Sequence, residues 1–195
     1  MSVEAIEAFY QGHAELIEYL IKNGEITYAS DANDNFRRSL ILAVASHFEA
    51  EISTIVRALP GHHSKNNPML VALVDQKAVS RQYHTYFQWD GTNGNSFFAL
   101  FGPAYRAACV KKVKDDTKFD QSVRAFLSLG STRNLIVHQN FVEFSVEKTP
   151  QDIIEEFRRA QEFVDYVRAS LLPPLPDEGE PVVVPSEPSS PIAGN

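Results

Sequence analysis

Residues 36–59 read FRRSLILAVASHFEAEISTIVRAL. The apolar positions Phe36, Leu40, Ile41, Val44, Phe48, Ile52, Ile55 and Leu59 recur at three- and four-residue intervals, which is one stripe of an amphipathic helix. Roughly 25 residues at about 1.5 Å each give a rod that crosses a whole domain, and Pro60-Gly61 is expected to stop it. N-terminal to this stretch, beyond a polar run rich in Asp and Asn, a second stripe made by Ile6, Phe9, Tyr10, Leu16, Ile17, Leu20 and Ile21 ends at Asn23-Gly24. C-terminal to it, Pro68 can open a short helix through Val79. Tyr83, Tyr86, Phe87 and Trp89 then cluster before the turn signal Gly91-Thr92-Asn93-Gly94.

Further helices follow. Pro103 sits at the N1 position of a basic helix over 104–114, where its missing N–H costs nothing. Another is expected from Lys118 to Leu129, broken at Gly130, with a restart capped by Ser131 or Thr132. Phe141 to Glu147 alternates apolar and polar residues and reads as extended. Thr149-Pro150-Gln151-Asp152 combines a capping side chain, a proline at N1 and an acid in the first turn, so it opens a final helix. That helix carries Ile153, Phe157, Ala160, Val164, Val167 and Leu171 and stops before Pro173-Pro174. Long helices with short connections and almost no strand pattern point to an all-α bundle with one long central helix.

Composition narrows the function classes. The chain has 195 residues and a net charge of −7, and the segment from Leu171 onward contributes four acids without a Lys or Arg. The remainder, at −3, is no broadly basic nucleic-acid-coating surface, so any such role must be local. The same segment holds seven of the eleven prolines and no aromatic residue, too little apolar surface to order itself. The expected organisation is a helical domain over 1–171 and a disordered, acidic, Pro-rich tail over 172–195. A single cysteine, Cys109, excludes an internal disulfide, a Cys-rich zinc site and a CxxC redox motif, and fits a reducing, cytoplasmic setting. The N-terminus lacks the basic leader and cleavage site of a signal peptide, and the longest apolar run, Leu40 to Ala45, is far too short to span a bilayer.

Most familiar chemistries find no foothold. His62-His63 lies in an expected loop, and His47 and Glu51 share a helix face without the second histidine that a HExxH site needs. No metal and no cofactor is therefore expected. Cys109, between Ala108 and Val110, reads as a small packed hydrophobe. No GxSxG elbow, P-loop or GxGxxG is present.

The run Arg133-Asn134-Leu135-Ile136-Val137-His138 differs. It sets a permanently charged guanidinium and a near-neutral imidazole five residues apart, around three apolar residues expected to anchor the segment in the core. Metal-free RNA cleavage uses those two groups: imidazole moves a proton at the ribose 2′-hydroxyl or the leaving 5′-oxygen, and guanidinium stabilises charge on pentacoordinate phosphorus. Five helical residues turn through about 140°, so the two heads do not share a face by backbone geometry alone, whereas Asn134 and His138, four apart, do.

This run, within 126–141, resembles the RN-four-to-six-H signature of the HEPN superfamily, specifically the RiboL-PSP-HEPN branch. The resemblance extends to Ala45-Ser46-His47-Phe48-Glu49, to Phe97, Phe98 and Phe101-Gly102-Pro103, and to Lys148-Thr149-Pro150, covering roughly residues 35–170. It implies a HEPN-like helical bundle and a metal-independent endoribonuclease of a toxin–antitoxin or antiviral defence system. It further implies a homodimer whose composite cleft has Arg133 and His138 as catalytic residues and Asn134 as a supporting one. An antitoxin or other defence-system protein is an implied partner. Many superfamily members are instead catalytically silent modules that bind RNA or a partner. Some HEPN toxins continue H-x-Y, a target of a partner nucleotidyltransferase; here the continuation is Gln139-Asn140. Finally, Tyr105 to Arg124 carries a local +3, with Lys111, Lys112, Lys114 and Lys118 as candidate RNA-binding residues directly upstream of Arg133 in the chain.

Overall fold

The computed structural model describes residues 2–139 and 144–174. Among them the chain forms α1 (Val3–Lys22), α2 (Ile26–His63), α3 (Pro68–Val74), α4 (Asn95–Ala99), α5 (Pro103–Asp115), α6 (Thr117–His138) and α7 (Pro150–Leu171), with no strand. The expected tail lies outside the described residues from 175 onward.

The long central helix is longer than its apolar stripe suggests. α2 begins ten residues before Phe36, because the polar run is itself helical and α1 covers it. Gly24, at φ +78, turns the chain between the two helices. Ala29 and Phe36 are buried there, His13 stacks on the Phe36 ring at 3.7 Å, and His13 Nε2 meets Asn33 Oδ1 at 2.8 Å. Nor does Pro60 stop α2. Only one backbone bond is lost to it so close to the end, and its carbonyl accepts from the Ser64 N–H at 3.0 Å. His62-His63 accordingly ends a helix instead of lying in a loop, and Lys65 and Asn66 in the left-handed region make the turn to α3. α2 is long and apolar enough by composition to cross a membrane, but half of that stretch is buried inside the domain.

α2, α6 and α7 enclose an aromatic core. Phe126 of α6 lies 5.3 Å from Phe48 of α2 and 4.9 Å from Phe163 of α7, and all three are essentially inaccessible. Phe87 and Phe97 stack at 4.6 Å and close the core from the connecting region. Burying each such ring contributes about 1.5–3 kcal/mol. Cys109 is also buried here, and burial raises its thiol above the usual range, as suits a packed hydrophobe. α3 begins at Pro68 as expected, capped by Asn67, and runs into a single π turn over 75–79. α7 has the expected capping box, with Thr149 and Asp152 bonding reciprocally.

The largest departure concerns Gly130. α6 is one unbroken helix through that position, with no restart: Thr132 Oγ1 donates back to the Ser128 carbonyl at 2.8 Å and caps nothing. The glycine is there because Trp89 lies across it. A Cβ at 130 would sit 2.1 Å from Trp89 Cζ3. Residues 144–147 form no strand. They are held against the bundle by Arg38 Nη1, which donates to the Phe144 carbonyl at 2.9 Å, and by Arg37 Nη1, which donates to the Val146 carbonyl at 3.2 Å. The part of the expected extended stretch from Phe141 to Glu143 lies outside the described residues.

Replacing Gly130 by alanine should therefore destabilise the fold by about 1–3 kcal/mol through overpacking against Trp89. The same change at Gly12, where a Cβ meets nothing within 4 Å, should stabilise by about 0.5–1 kcal/mol. Urea denaturation of the two variants measures both signs; equal midpoints would contradict the Trp89 contact.

Candidate functional site

Three elements converge on one open cleft of about 470 Å3. α2 contributes Ala45, Glu49 and Ser53, spaced by four and so on one face. The last turns of α6 contribute Gly130, Arg133, Asn134, Val137 and His138. The segment between the π turn and Trp89 forms the third wall with Val79, Arg81, Tyr83, His84 and Trp89.

The structure thus brings Arg133, Asn134 and His138 together at the C-terminal end of an unbroken helix, not at the start of a new one. Arg133 Nη1 donates to Asn134 Oδ1 at 3.1 Å, and His138 is exposed to solvent. Of the three apolar residues between them, only Ile136 anchors the segment in the core. Leu135 and Val137 are 46% and 52% exposed, so the expectation that all three pack inward is corrected. A helix end that must present Arg133 and His138 to a cleft on one side has only one face left for the core.

Some surface charges are paired, and others, Arg106 and Arg159 among them, form no ion pair among the described residues. Across the described surface, ion pairs join Arg57 to Asp75, Arg124 to Asp120, Arg158 to Glu7 and Arg168 to Glu51. Glu49, Arg81 and Arg133 form no ion pair among the described residues. Tyr83 feels Glu49 and Arg133. Burial lifts its phenol far above the ordinary range, the Glu49 carboxylate raises it further, and the Arg133 guanidinium partly offsets both. The Trp89 indole N–H is committed to the His84 carbonyl at 2.9 Å, so Trp89 offers the cleft ring surface and no donor.

The remaining sequence candidates lie elsewhere. Lys111 and Lys112 are paired with Asp115 and Asp116 one turn on, and Lys112 also lies 5.0 Å from the Phe119 ring centroid. Lys114 and Lys118 share that end of the molecule, at the α5–α6 junction. Fifteen helical residues separate Lys118 from Arg133, about 22 Å, and none of the four lysines lines the cleft. Adjacent in sequence, the basic run and the Arg133 segment are at opposite ends of α6. His47 is buried against Phe48 and Phe157, with Nε2 3.3 Å from Gln161 Oε1, and His63 Nε2 is 2.8 Å from the Leu171 carbonyl. Glu51, which shares the His47 face, is held by Arg168. Among the described residues no cluster of His, Cys, Asp and Glu could hold a metal ion.

Sequence reasoning did not place Ser53, Arg81, Tyr83, His84 or Trp89 in a site. Their one signal was the aromatic cluster ahead of Gly91, which has neither helical nor strand spacing and so does not say which rings face the core.

The sequence model of the RiboL-PSP-HEPN family matches residues 9–172, reaching further toward the N-terminus than the motifs alone suggested. No curated protein matches the chain, and neither does any solved structure.

The electrostatics of the cleft can be read at Tyr83 by carbon-13 NMR of labelled tyrosine during an alkaline titration. Tyr83 should stay protonated for as long as the fold survives. A Tyr83 ionising near the model-peptide value of about 10 in the folded chain would contradict the arrangement.

Proposed function

The chain belongs to the RiboL-PSP-HEPN family, and from that footing and the cleft geometry we propose that it is a metal-independent endoribonuclease. It acts as a homodimer in the cytoplasm, as a toxin or effector of a defence or toxin–antitoxin system, and a neutralising protein is its expected partner. The observation that carries this reading is the convergence of Arg133, Asn134 and His138 on one open cleft, with the imidazole accessible to solvent. Leu135, exposed and outside the cleft, supplies apolar surface on which a second copy can sit.

The chemistry follows from the groups. An imidazole takes the proton of a ribose 2′-hydroxyl as that oxygen attacks phosphorus. The bond from phosphorus to the 5′-oxygen breaks, and the leaving oxygen takes a proton from the imidazole of the second protomer. Arg133 spreads two N–H donors over the phosphoryl oxygens, where charge accumulates in the transition state, and Asn134 fixes the guanidinium through its amide oxygen. The products are a 2′,3′-cyclic phosphate and a 5′-hydroxyl.

A catalytically silent RNA- or partner-binding module is the second reading. The observation on its side is the separation of the four lysines from the cleft, which leaves Arg81 and Arg133 as the guanidinium groups lining it.

Purified protein incubated with RNA in EDTA should cut it. His138→Ala should lower the rate by about 10²–10⁴-fold and Arg133→Ala by about 10²–10³-fold, with unchanged helicity because neither side chain is in the core. A His138→Ala variant cutting as fast as the parent removes the assigned role, and a parent that binds RNA without cutting it selects the silent module.

A further inference from the structure

The cleft is larger than the scissile phosphate needs. Arg133, Asn134 and His138 occupy its α6 side, while a volume of about 470 Å3 falls in the range that holds a whole small ligand. Its other walls differ in kind. Tyr83 and Trp89 pack against each other at 5.5 Å between ring centroids, and Trp89 is braced from behind by Gly130 and by the Phe126 ring at 6.0 Å. This aromatic wall is fixed, and its indole N–H is already used. The α2 wall presents a carboxylate, Glu49, with Ser53 one turn on. Glu49 and Tyr83 line the same cleft, and the Tyr83 hydroxyl has no hydrogen-bond partner among the described residues.

A rigid ring surface, an unpaired carboxylate and guanidinium groups within one cleft are the complement of a nucleotide. Splayed bases of single-stranded RNA are held by stacking on aromatic side chains and read on their Watson–Crick edge. A carboxylate reads that edge selectively, because it only accepts hydrogen bonds. Guanine alone offers two adjacent donors, N1–H and the 2-amino group. Adenine and cytosine set a ring-nitrogen acceptor beside their amino group, and uracil flanks its one N–H with two carbonyls, so each turns a lone pair toward the carboxylate.

We propose that the cleft is a guanosine subsite, in which the base of an unpaired nucleotide lies on the Tyr83–Trp89 wall with its Watson–Crick edge on Glu49 and its phosphate toward Arg81 and Arg133. This deepens the reading of the cleft as an RNA site and rests on it. The substrate class it assigns is single-stranded RNA with a guanosine at the cleavage point.

Trp89 is the chain's only tryptophan, so its fluorescence reports occupancy of the cleft directly. The experiment uses full-length protein carrying His138→Ala, which separates binding from cleavage. GMP, AMP, CMP and UMP are titrated, then two heptamers, all-uridine and the same with one central guanosine. GMP should quench Trp89 at about tenfold lower concentration than the other three, the difference expected from charge-assisted hydrogen bonds. The guanosine heptamer should bind more tightly than either GMP or the all-uridine heptamer. Adding Glu49→Gln should abolish the preference for guanosine; Glu49 is exposed and outside the core, so this variant should fold. Equal affinity for the four nucleotides, a preference that survives Glu49→Gln, or free GMP binding more tightly than the guanosine heptamer would each overturn the proposal. RNA cleavage by the parent without base preference would overturn it and leave the endoribonuclease standing. Guanosine binding by a parent that never cleaves would do the reverse.

Discussion

The missing side chain at Gly130 is the constraint on which the cleft depends. Because nothing projects from α6 there, the Trp89 indole lies directly on the helix backbone, and the segment from Val79 to Trp89 is pinned over the last turns of α6. That contact joins two stretches of chain forty residues apart into one wall. It also explains why α6 passes through a glycine without breaking: a glycine in a helix interior costs about 1 kcal/mol against alanine, and packing of the indole more than offsets it. Remove the contact, and Arg133 and His138 keep only the α2 wall of Ala45, Glu49 and Ser53 opposite them.

Much of the architecture was legible in residues 36–59 and in the caps. The apolar stripe from Phe36 to Leu59 marks the buried face of α2, and Thr149-Pro150-Gln151-Asp152 opens α7 with the capping box it advertises. The errors share a cause, which is that local punctuation was overridden by tertiary contact. Asp31 to Asn35 look like loop residues until α1 covers one side of them and His13 partners Asn33. Pro60 falls where a helix has little left to lose, and Gly130 marks a packing site where a terminus was expected. Leu135 and Val137 show the opposite limit: both neighbour the buried Ile136, but on a helix one turns out to solvent and the other into the cleft.

The candidate site was legible in part. Arg133, Asn134 and His138 stood out by residue type and spacing, and they do share a cleft. The lysines did not follow, because fifteen residues of straight helix carry a basic run to the far end of the molecule however close it is in sequence. The opposing wall of Arg81, Tyr83, His84 and Trp89 was illegible because its position is set by one contact with Gly130 and not by any periodicity. What marks the cleft is that charges of both signs, Glu49 with Arg81 and Arg133, line one concavity without forming an ion pair among the described residues. Charges held without partners favour a ligand that supplies the partners, and a nucleotide carries both signs of complement.

In the proposed mechanism, cleavage requires two copies of the segment from Arg133 to His138, brought together at the exposed Leu135. The most direct test is the molar mass of the cleavage-active species, measured by analytical ultracentrifugation for the parent and for a Leu135→Glu variant, whose substitution lies outside the cleft. The parent should sediment as a dimer and cut RNA, and the variant should sediment as a folded monomer and cut none. A parent that cuts RNA as a monomer, or a monomeric variant that cuts as well as the parent, would contradict it.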